Sequence, residues 1–482
     1  MGILDAPGVT KLQSGKIARA NARARGLVPI ANKNRWQTSQ TLGATGGITT
    51  MTRHTAVYGA TGLALVYGNV VSATSSGDND GPAAITINAG ILLPSDTSKI
   101  LRVSQGPSTD MVYQPGAIAA TNVCGVDVEA GQYIFVRTWH NADGSIQYPF
   151  GYGQTTIAWG EGRTLGANNS NSGGVATSAV GGLAPMIILG YTDVQNPRAP
   201  VLFGDSIGFG VGDAAEVQRG FMQIACGNSI PLLNFTKSGE QLGQIVGRGQ
   251  QYRMALAAAY ATSAVVEYGT NDIYAGGVTA SQLRALLMTF GASLKRLGIG
   301  PLYLTTLVPR VTSSDNYETA SGQSPITSFM SINPEAERQT HNAWVRAGSL
   351  GPFDGYFDTA AAVEVDSANT LSLTGGRWKA GGILDNGTAT AGTGNTLTDS
   401  SKSWTASAHV GYLVRIVSGT GSGQIRGIYA NTATQLTVDI AWSTTPDATS
   451  VYRIYDGPTL DGIHPSSRAH ASMATAIDIT KL

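Results

Sequence analysis

Four short blocks of this chain carry residue types that together can activate a hydroxyl. Gly204-Asp205-Ser206 follows the apolar run Val201-Leu202-Phe203 and leads into Gly208 and Gly210. Asn234 opens the block NFTKSG, which ends on Ser238 and Gly239, and Asn271 lies in the block YGTND at 268–272. The last block, Asp461-Gly462-Ile463-His464-Pro465, sets a carboxylate and an imidazole three residues apart. A serine hydroxyl is a weak nucleophile until an imidazole takes its proton, and the oxyanion that follows needs fixed donors such as backbone N–H groups or an amide. Taken singly, each block reads as a turn: Gly-Asp-Ser is a common loop tripeptide, and Asn271 can merely cap a helix. Gly208 and Gly210 followed by Asp213 lack the third glycine of a dinucleotide fingerprint, which sets nucleotide binding aside.

Other chemistries find less support. His54, His140, His341 and His409 have no acid and nucleophile beside them in the sequence and read as packing or surface residues, while His470, six residues after His464, points to the other side of a regular helix. Without HExxH or paired-histidine spacing, neither a metal nor a cofactor is expected. Cys124 and Cys226 lie far apart, which excludes a zinc ribbon or a disulfide framework and suggests small buried residues. The glycine-rich run at 77–81 (GDNDG) resembles part of a calcium loop, but Ile87 stands where the bidentate acid belongs, so it reads as a plain turn. Lys plus Arg (31) equals Asp plus Glu (31), so no net field recruits nucleic acid or an anionic membrane. No apolar run is long enough for membrane insertion, and no signal peptide is recognisable at the start of the sequence.

The elements that must position the four blocks follow from hydrophobic pattern. Residues 1–45 form a basic arm or anchor with Lys11, Lys16, Arg19, Arg23, Arg25, Lys33 and Arg35 against Asp5. Residues 46–195 carry short β-branched and aromatic runs (63–71, 84–87, 132–138 and 155–159) between Gly, Ser and Asn clusters, the pattern of a β-sandwich-like domain. From 196 to 382 apolar runs at 200–206, 231–236, 264–269 and 301–308 alternate with helix candidates at 216–226, 245–260, 279–297 and 334–347, which calls for an α/β domain with a parallel sheet. Leu283, Leu286, Leu287, Phe290 and Leu294 fall on one face of the third helix. Residues 383–455 lack a helical period and read as an inserted β module, after which 456–482 returns to the α/β domain with a helix starting near Pro465. Polar groups thus collect at the carboxyl ends of successive parallel strands, where open α/β sheets form their sites.

In number and order the four blocks resemble those of the SGNH, or GDSL-type, hydrolases, with Thr236 a departure where relatives often carry glycine. The resemblance implies a flavodoxin-like three-layer α/β/α domain in which Ser206 is the nucleophile, His464 the general base and acid, and Asp461 the group orienting His464. It also implies an oxyanion hole made of the Ser206 N–H, the Gly239 N–H and the side-chain amide of Asn271. The flanking β modules make the chain similar to phage tail-associated or prophage esterases that remove O-acetyl groups from bacterial surface polysaccharide. That analogy implies a virion or extracellular location, acetylated polysaccharide as substrate, other tail proteins as partners through the N-terminal arm, and allows a homotrimer. Trp404, Tyr412, Tyr429 and Trp442 can stack on sugars or fill a β core. Two alternatives stay open: a lipase or thioesterase-type hydrolase of small esters, and a non-catalytic glycan-binding tail protein.

Overall fold

The computed structural model describes residues 26–482 apart from 37, 42–45, 74–76, 94–95, 142–146, 151–159, 177–181, 214–218, 247–250 and 366–374. A six-stranded sheet carries the first three of the four blocks, in the order Asn34–Arg35, Leu233–Asn234, Pro200–Gly204, Ser263–Glu267, Leu302–Thr305 and Gly355–Phe357. All its pairings are parallel. The strands are apolar at successive positions because helices cover both faces. Val201, Phe203, Ala264, Val266, Leu302 and Leu304 share a core with helices Gln251–Tyr260, Ala280–Arg296 and Pro334–Arg346. Their neighbours Leu202, Val265, Tyr303 and Phe357 face the other way, toward Gly220–Cys226, Thr359–Val363 and Ser467–Ala474.

The helix Ala280–Arg296 follows its sequence signals closely. Thr279 and Gln282 close a reciprocal capping box at its start, and Lys295 and Arg296 complement the dipole at its end. Leu283, Leu287, Phe290 and Leu294 are buried, while Leu286 is partly exposed. The expected helix at 245–260 is observed as Leu242–Ile245 and Gln251–Tyr260, and the one expected from 216 as Gly220–Cys226.

Every other sheet among the described residues is antiparallel, so the α/β expectation covers one sheet of a largely antiparallel chain. In the N-terminal region one sheet is built around Ala60–Gly68 and a second around Ile85–Leu93 and Tyr133–His140. Leu63, Leu65 and Tyr67 of the first meet Ile87, Ile91, Ile134 and Val136 of the second. The opposite face of the first sheet is buried as well: Ala64, Val66, Ile187 and Leu189 join the core of the parallel sheet through Val201, Leu233 and Leu256. This accounts for the unbroken apolar run at 63–67, which an exposed sandwich face would have interrupted with polar residues.

Two expectations need correction. The arm was drawn to residue 45, yet Leu27–Pro29 pairs with Ile187–Tyr191 and Asn34–Arg35 pairs with Leu233–Asn234; edge strands this short leave little periodicity to read. The arm residues 1–25 and the strand expected at 155–159 lie outside the described residues. The supposed turn at 77–81 contains the strand Gly77–Asp80, paired with Val70–Ala73. Its acidic residues were read for calcium, whereas Asp78 meets an arginine of the α/β region.

The segment 383–455 lies within a seven-stranded antiparallel sheet that begins with Gly382–Thr388 and ends with Val451–Asp456, these two strands pairing with each other. It has its own core of Leu397, Val414, Ile416, Ile428, Leu436, Trp442 and Tyr452, with Trp404 and Tyr412 packed against it. Three of the four aromatic residues weighed for sugar stacking therefore serve packing, and Tyr429 is half-buried. Arg415 and Arg453 each pair with Glu318 at 3.0 Å, fastening this sheet to the segment between Val311–Ser313 and Gln323–Pro325. Among the described residues no helix is long and apolar enough to cross a membrane.

Leu189 lies 1% exposed on the face that joins the N-terminal sheets to the parallel sheet. Leu189→Ala is expected to cost about 2–5 kcal/mol, the range for an unfilled core cavity. In urea denaturation the N-terminal sheets and the parallel sheet should shift together as one transition; two separate transitions would show that the cores are independent.

Candidate active site

Three of the blocks are delivered by strand ends lying side by side. Ser206 opens the one-turn helix Ser206–Phe209 immediately after Pro200–Gly204. Asp205 caps that turn, its Oδ1 accepting the Ile207 N–H at 2.9 Å. Beneath it the buried Glu267, the last residue of the neighbouring strand, accepts the N–H groups of Asp205 (3.2 Å) and Gly208 (3.1 Å) through Oε2. A side chain at Gly204 would collide with that carboxyl, so glycine is required there. Asn234 ties the second block to the first, its Nδ2 donating to the Gly208 carbonyl at 3.1 Å. Thr236, the departure noted above, donates from its hydroxyl to Asn234 Oδ1 at 2.6 Å and is buried.

The fourth block arrives from far along the chain. His464 Nε2 lies 2.9 Å from Ser206 Oγ, and His464 Nδ1 lies 2.6 Å from Asp461 Oδ2. Asp461 Oδ1 also accepts the N–H groups of Ile463 (2.9 Å) and His464 (2.8 Å). Burial opposes the charge on Asp461, but these donors outweigh it and hold the carboxyl down at about 2, so it is ionised at any working pH. An ionised Asp461 places the imidazole proton on Nδ1 and leaves Nε2 free to accept the serine proton.

Opposite the imidazole lie the donors. Gly239 adopts φ +77°, a backbone conformation that favours glycine, in a turn closed by Glu240 N–H donating to the Lys237 carbonyl at 3.2 Å. The N–H groups of Ser206 and Gly239 donate to no described residue. Asn271 sits in the helix Thr270–Tyr274, and its Nδ2 donates to Asp205 Oδ2 at 3.2 Å and to the Glu240 carbonyl at 3.3 Å. These two bonds orient the amide. All five residues expected to act, Ser206, Gly239, Asn271, Asp461 and His464, thus meet at one edge of the parallel sheet.

The other histidines lie elsewhere. His54 is buried against Thr52 and the Asn32 carbonyl, His341 packs on Trp344, and His409 on Trp404. His140 is buried in the N-terminal sheets. His470 does not point away from the site region: it is buried, with Nε2 3.1 Å from the carbonyl of Val211 in the turn that follows the nucleophile. Cys226 is buried as expected, Cys124 only half so, and the two are unpaired. Among the described residues no group of three or more His, Cys, Asp or Glu side chains is arranged to hold a metal.

Two residues near the site escaped the sequence reading. Glu267 precedes YGTND inside an apolar strand, and nothing in its spacing distinguishes it from a strand-end acid. Arg310 lies 5.4 Å above the Tyr274 ring and senses Asp461 and Asp205, while burial lowers its pKa. No motif points to it.

The scan against family models matches nothing, and no curated protein matches the chain. Among solved structures, a member of the lipolytic protein G-D-S-L family from Veillonella parvula DSM 2008 is similar over 34% of this chain and 79% of its own, at 17% identity and a TM-score of 0.25. A family two carbohydrate esterase from Clostridium thermocellum, in complex with cellohexaose, is similar over 60% and 79%, at 12% identity and a TM-score of 0.22. The psychrotrophic esterase EstA from Pseudoalteromonas sp. is similar over 23% and 60%, at 20% identity and a TM-score of 0.20. With every score below 0.5, these likenesses carry no argument about activity, which has to stand on the geometry of the site.

Burial raises the pKa of Glu267, and the neighbouring Asp205, also raised by burial, pushes it further. Such a group binds its proton more tightly folded than unfolded, so its contribution to stability is present at low pH and is lost as pH rises from its unfolded value of 4.5 through the raised folded one. Buried His54 and His341, both lowered to about 3, act in the opposite sense below 6.5, so the informative quantity is a difference between variants. Relative to the parent protein, Glu267→Gln is expected to gain in melting temperature from pH 5 to pH 8. A constant offset across that range would show that Glu267 does not retain its proton.

Proposed function

We propose that this protein is a serine esterase of the SGNH type, and that its substrate is the O-acetyl group of a bacterial surface polysaccharide. The observation that carries the esterase reading is the chain Ser206 Oγ, His464 Nε2, His464 Nδ1, Asp461 Oδ2, with links of 2.9 and 2.6 Å. In this reading Ser206 Oγ attacks the ester carbonyl as its proton passes to His464 Nε2. The tetrahedral oxyanion is received by the Ser206 and Gly239 N–H groups and Asn271 Nδ2. The C–O bond to the sugar then breaks, and His464 returns the proton to the leaving hydroxyl. Water, deprotonated by His464 in turn, attacks the acyl-serine and releases acetate and free Ser206.

The polysaccharide part rests on context. The seven-stranded sheet is fastened to the segment 314–322, and the Val311 N–H beside that segment donates to the Gly462 carbonyl at 3.0 Å, next to Asp461. A polymer lying on this sheet would have the reactive serine within its reach. A phage tail location, tail-protein partners through the N-terminal arm and a trimer remain part of the proposal, drawn from the resemblance of domain order.

Ser206→Ala is expected to abolish acetate release from acetylated polysaccharide and from an aryl acetate alike; unchanged hydrolysis of both would defeat the esterase reading. Activity of the parent protein should fall on acidification, because a protonated imidazole cannot accept the serine proton, and Asp461, already charged, does not contribute to that fall. A rate that does not change on acidification would count against His464 as base. Replacing 383–455 by a short Gly/Ser link should preserve aryl acetate hydrolysis and impair polymer deacetylation. Equal losses on both would assign the sheet a structural role only.

A further inference from the structure

The catalytic groups all belong to the α/β region, yet one carboxylate of the N-terminal sheets reaches them through a buried chain of charges. Asp78, on the strand Gly77–Asp80, is 3% exposed. Its Oδ1 accepts Arg253 Nε at 2.9 Å and its Oδ2 accepts the Arg253 backbone N–H at 3.1 Å. Ser72 on the paired strand donates to Asp78 Oδ1 at 3.0 Å and receives the Trp36 indole N–H. Arg253 is fully buried on the helix Gln251–Tyr260. Its remaining nitrogens grip the carboxylate of Glu240, Nη1 at 2.7 Å and Nη2 at 2.6 Å, while Nη1 also donates to the Phe235 carbonyl at 3.2 Å. Glu240, itself fully buried, receives a third donor, the Tyr268 hydroxyl at 2.6 Å.

Glu240 is the residue after Gly239, and its backbone carbonyl is one of the two acceptors of the Asn271 amide. Tyr268 lies three residues before Asn271. Two of the three oxyanion donors are therefore adjacent to residues locked by one guanidinium, whose far side is held by Asp78. Burying two carboxylates and one arginine gains little stability over apolar packing of the same volume, so packing alone is a poor reason for the arrangement. Its directional, bidentate contacts do what apolar packing does not: they fix the position of a backbone carbonyl.

We infer that Asp78 is a positioning residue of the oxyanion hole, acting across the boundary between the N-terminal sheets and the α/β region through Arg253 and Glu240. The inference rests on the serine esterase reading. Without Asp78 the guanidinium loses the partner on its far side, the Glu240 carbonyl shifts, and the Asn271 amide is no longer aimed at the oxyanion. The effect belongs to the transition state, because the ground-state ester carbonyl carries little charge for Asn271 to meet. Removing an oxyanion donor outright costs ~10²–10³ in kcat, so misplacing one should cost less, about tenfold.

The test is a double-mutant cycle on the full chain with an aryl acetate. Asp78→Asn, which keeps the shape and removes the charge, should lower kcat about tenfold with KM unchanged. In an Asn271→Ala background the same change should lower kcat by clearly less than in the parent, since one of the two donors held through Glu240 is gone. Asp80→Asn, which alters the same hairpin where it meets Tyr252, should leave kcat as in the parent and reports on general damage to the interface. If Asp78→Asn does not fold, Arg253→Lys is measured in the same cycle, because it keeps the charge and loses the bidentate grip. Multiplicative losses in the cycle, or an unchanged kcat in Asp78→Asn, would overturn the inference. If Ser206→Ala also retained full hydrolysis, the esterase reading would fall with it; if Ser206→Ala were inactive, only the role of Asp78 would.

Discussion

Parallel pairing of Pro200–Gly204 with Leu233–Asn234 on one side and Ser263–Glu267 on the other sets the relative positions of the first three blocks. In a parallel sheet neighbouring strands finish at the same edge, so the chain turns out of the sheet there in adjacent places. Gly204 pairs with Glu267 in that register, and the two-residue strand Leu233–Asn234 pairs with Val201 and Leu202. The Gly239 turn and the Asn271 helix therefore each start one strand spacing from the Ser206 turn, on opposite sides of it, before any side chain is considered. Glu267 then bolts the nucleophile turn to its neighbour, and Asn234 does so from the other side.

What surrounds that edge is unusually rich in buried charge for a chain with only 13% charged residues. Arg253 is held between Asp78 and Glu240, and Arg338 between Glu335 and Glu364, with side-chain contacts of 2.6–3.1 Å. Each guanidinium also donates to the carbonyl of a segment leaving the sheet, Phe235 for Arg253 and Leu307 for Arg338. These two buried clusters hold loop backbone still, while other charged residues, such as Lys295 and Asp354, pair at the surface.

The sequence made the candidate catalytic residues legible because each sits in a block with a recognisable neighbour: Ser206 after Gly204, Asn271 after Gly269, His464 after Asp461. Strand and helix alternation located the parallel sheet, and the capping box and apolar face located the helix Ala280–Arg296. Its boundaries at the N-terminus were not legible, since two- and three-residue strands such as Asn34–Arg35 and Leu27–Pro29 have no period. Asp78 and Glu267 were invisible for another reason: their roles depend on partners 175 and 62 residues away, Arg253 and Asp205, and no local spacing encodes such a meeting. The apolar run at 63–67 did carry a signal of burial on two sides, which becomes readable once a second core is known to lie behind the sheet.

The pairing of Gly382–Thr388 with Val451–Asp456 closes the seven-stranded sheet at its base, where the Gly381 N–H also donates to the Asp456 carbonyl at 3.0 Å. Ser206 and His464 are 258 positions apart along the chain, a contact of the high sequence separation that slows folding, although the closure entropy itself grows only slowly with loop length. A sheet with its own core can form from local contacts first. Once it has, its two ends are neighbours, and the contour separating nucleophile from base is shorter by the whole module. A module that closes on itself therefore adds residues between Ser206 and His464 without adding to the search that joins them.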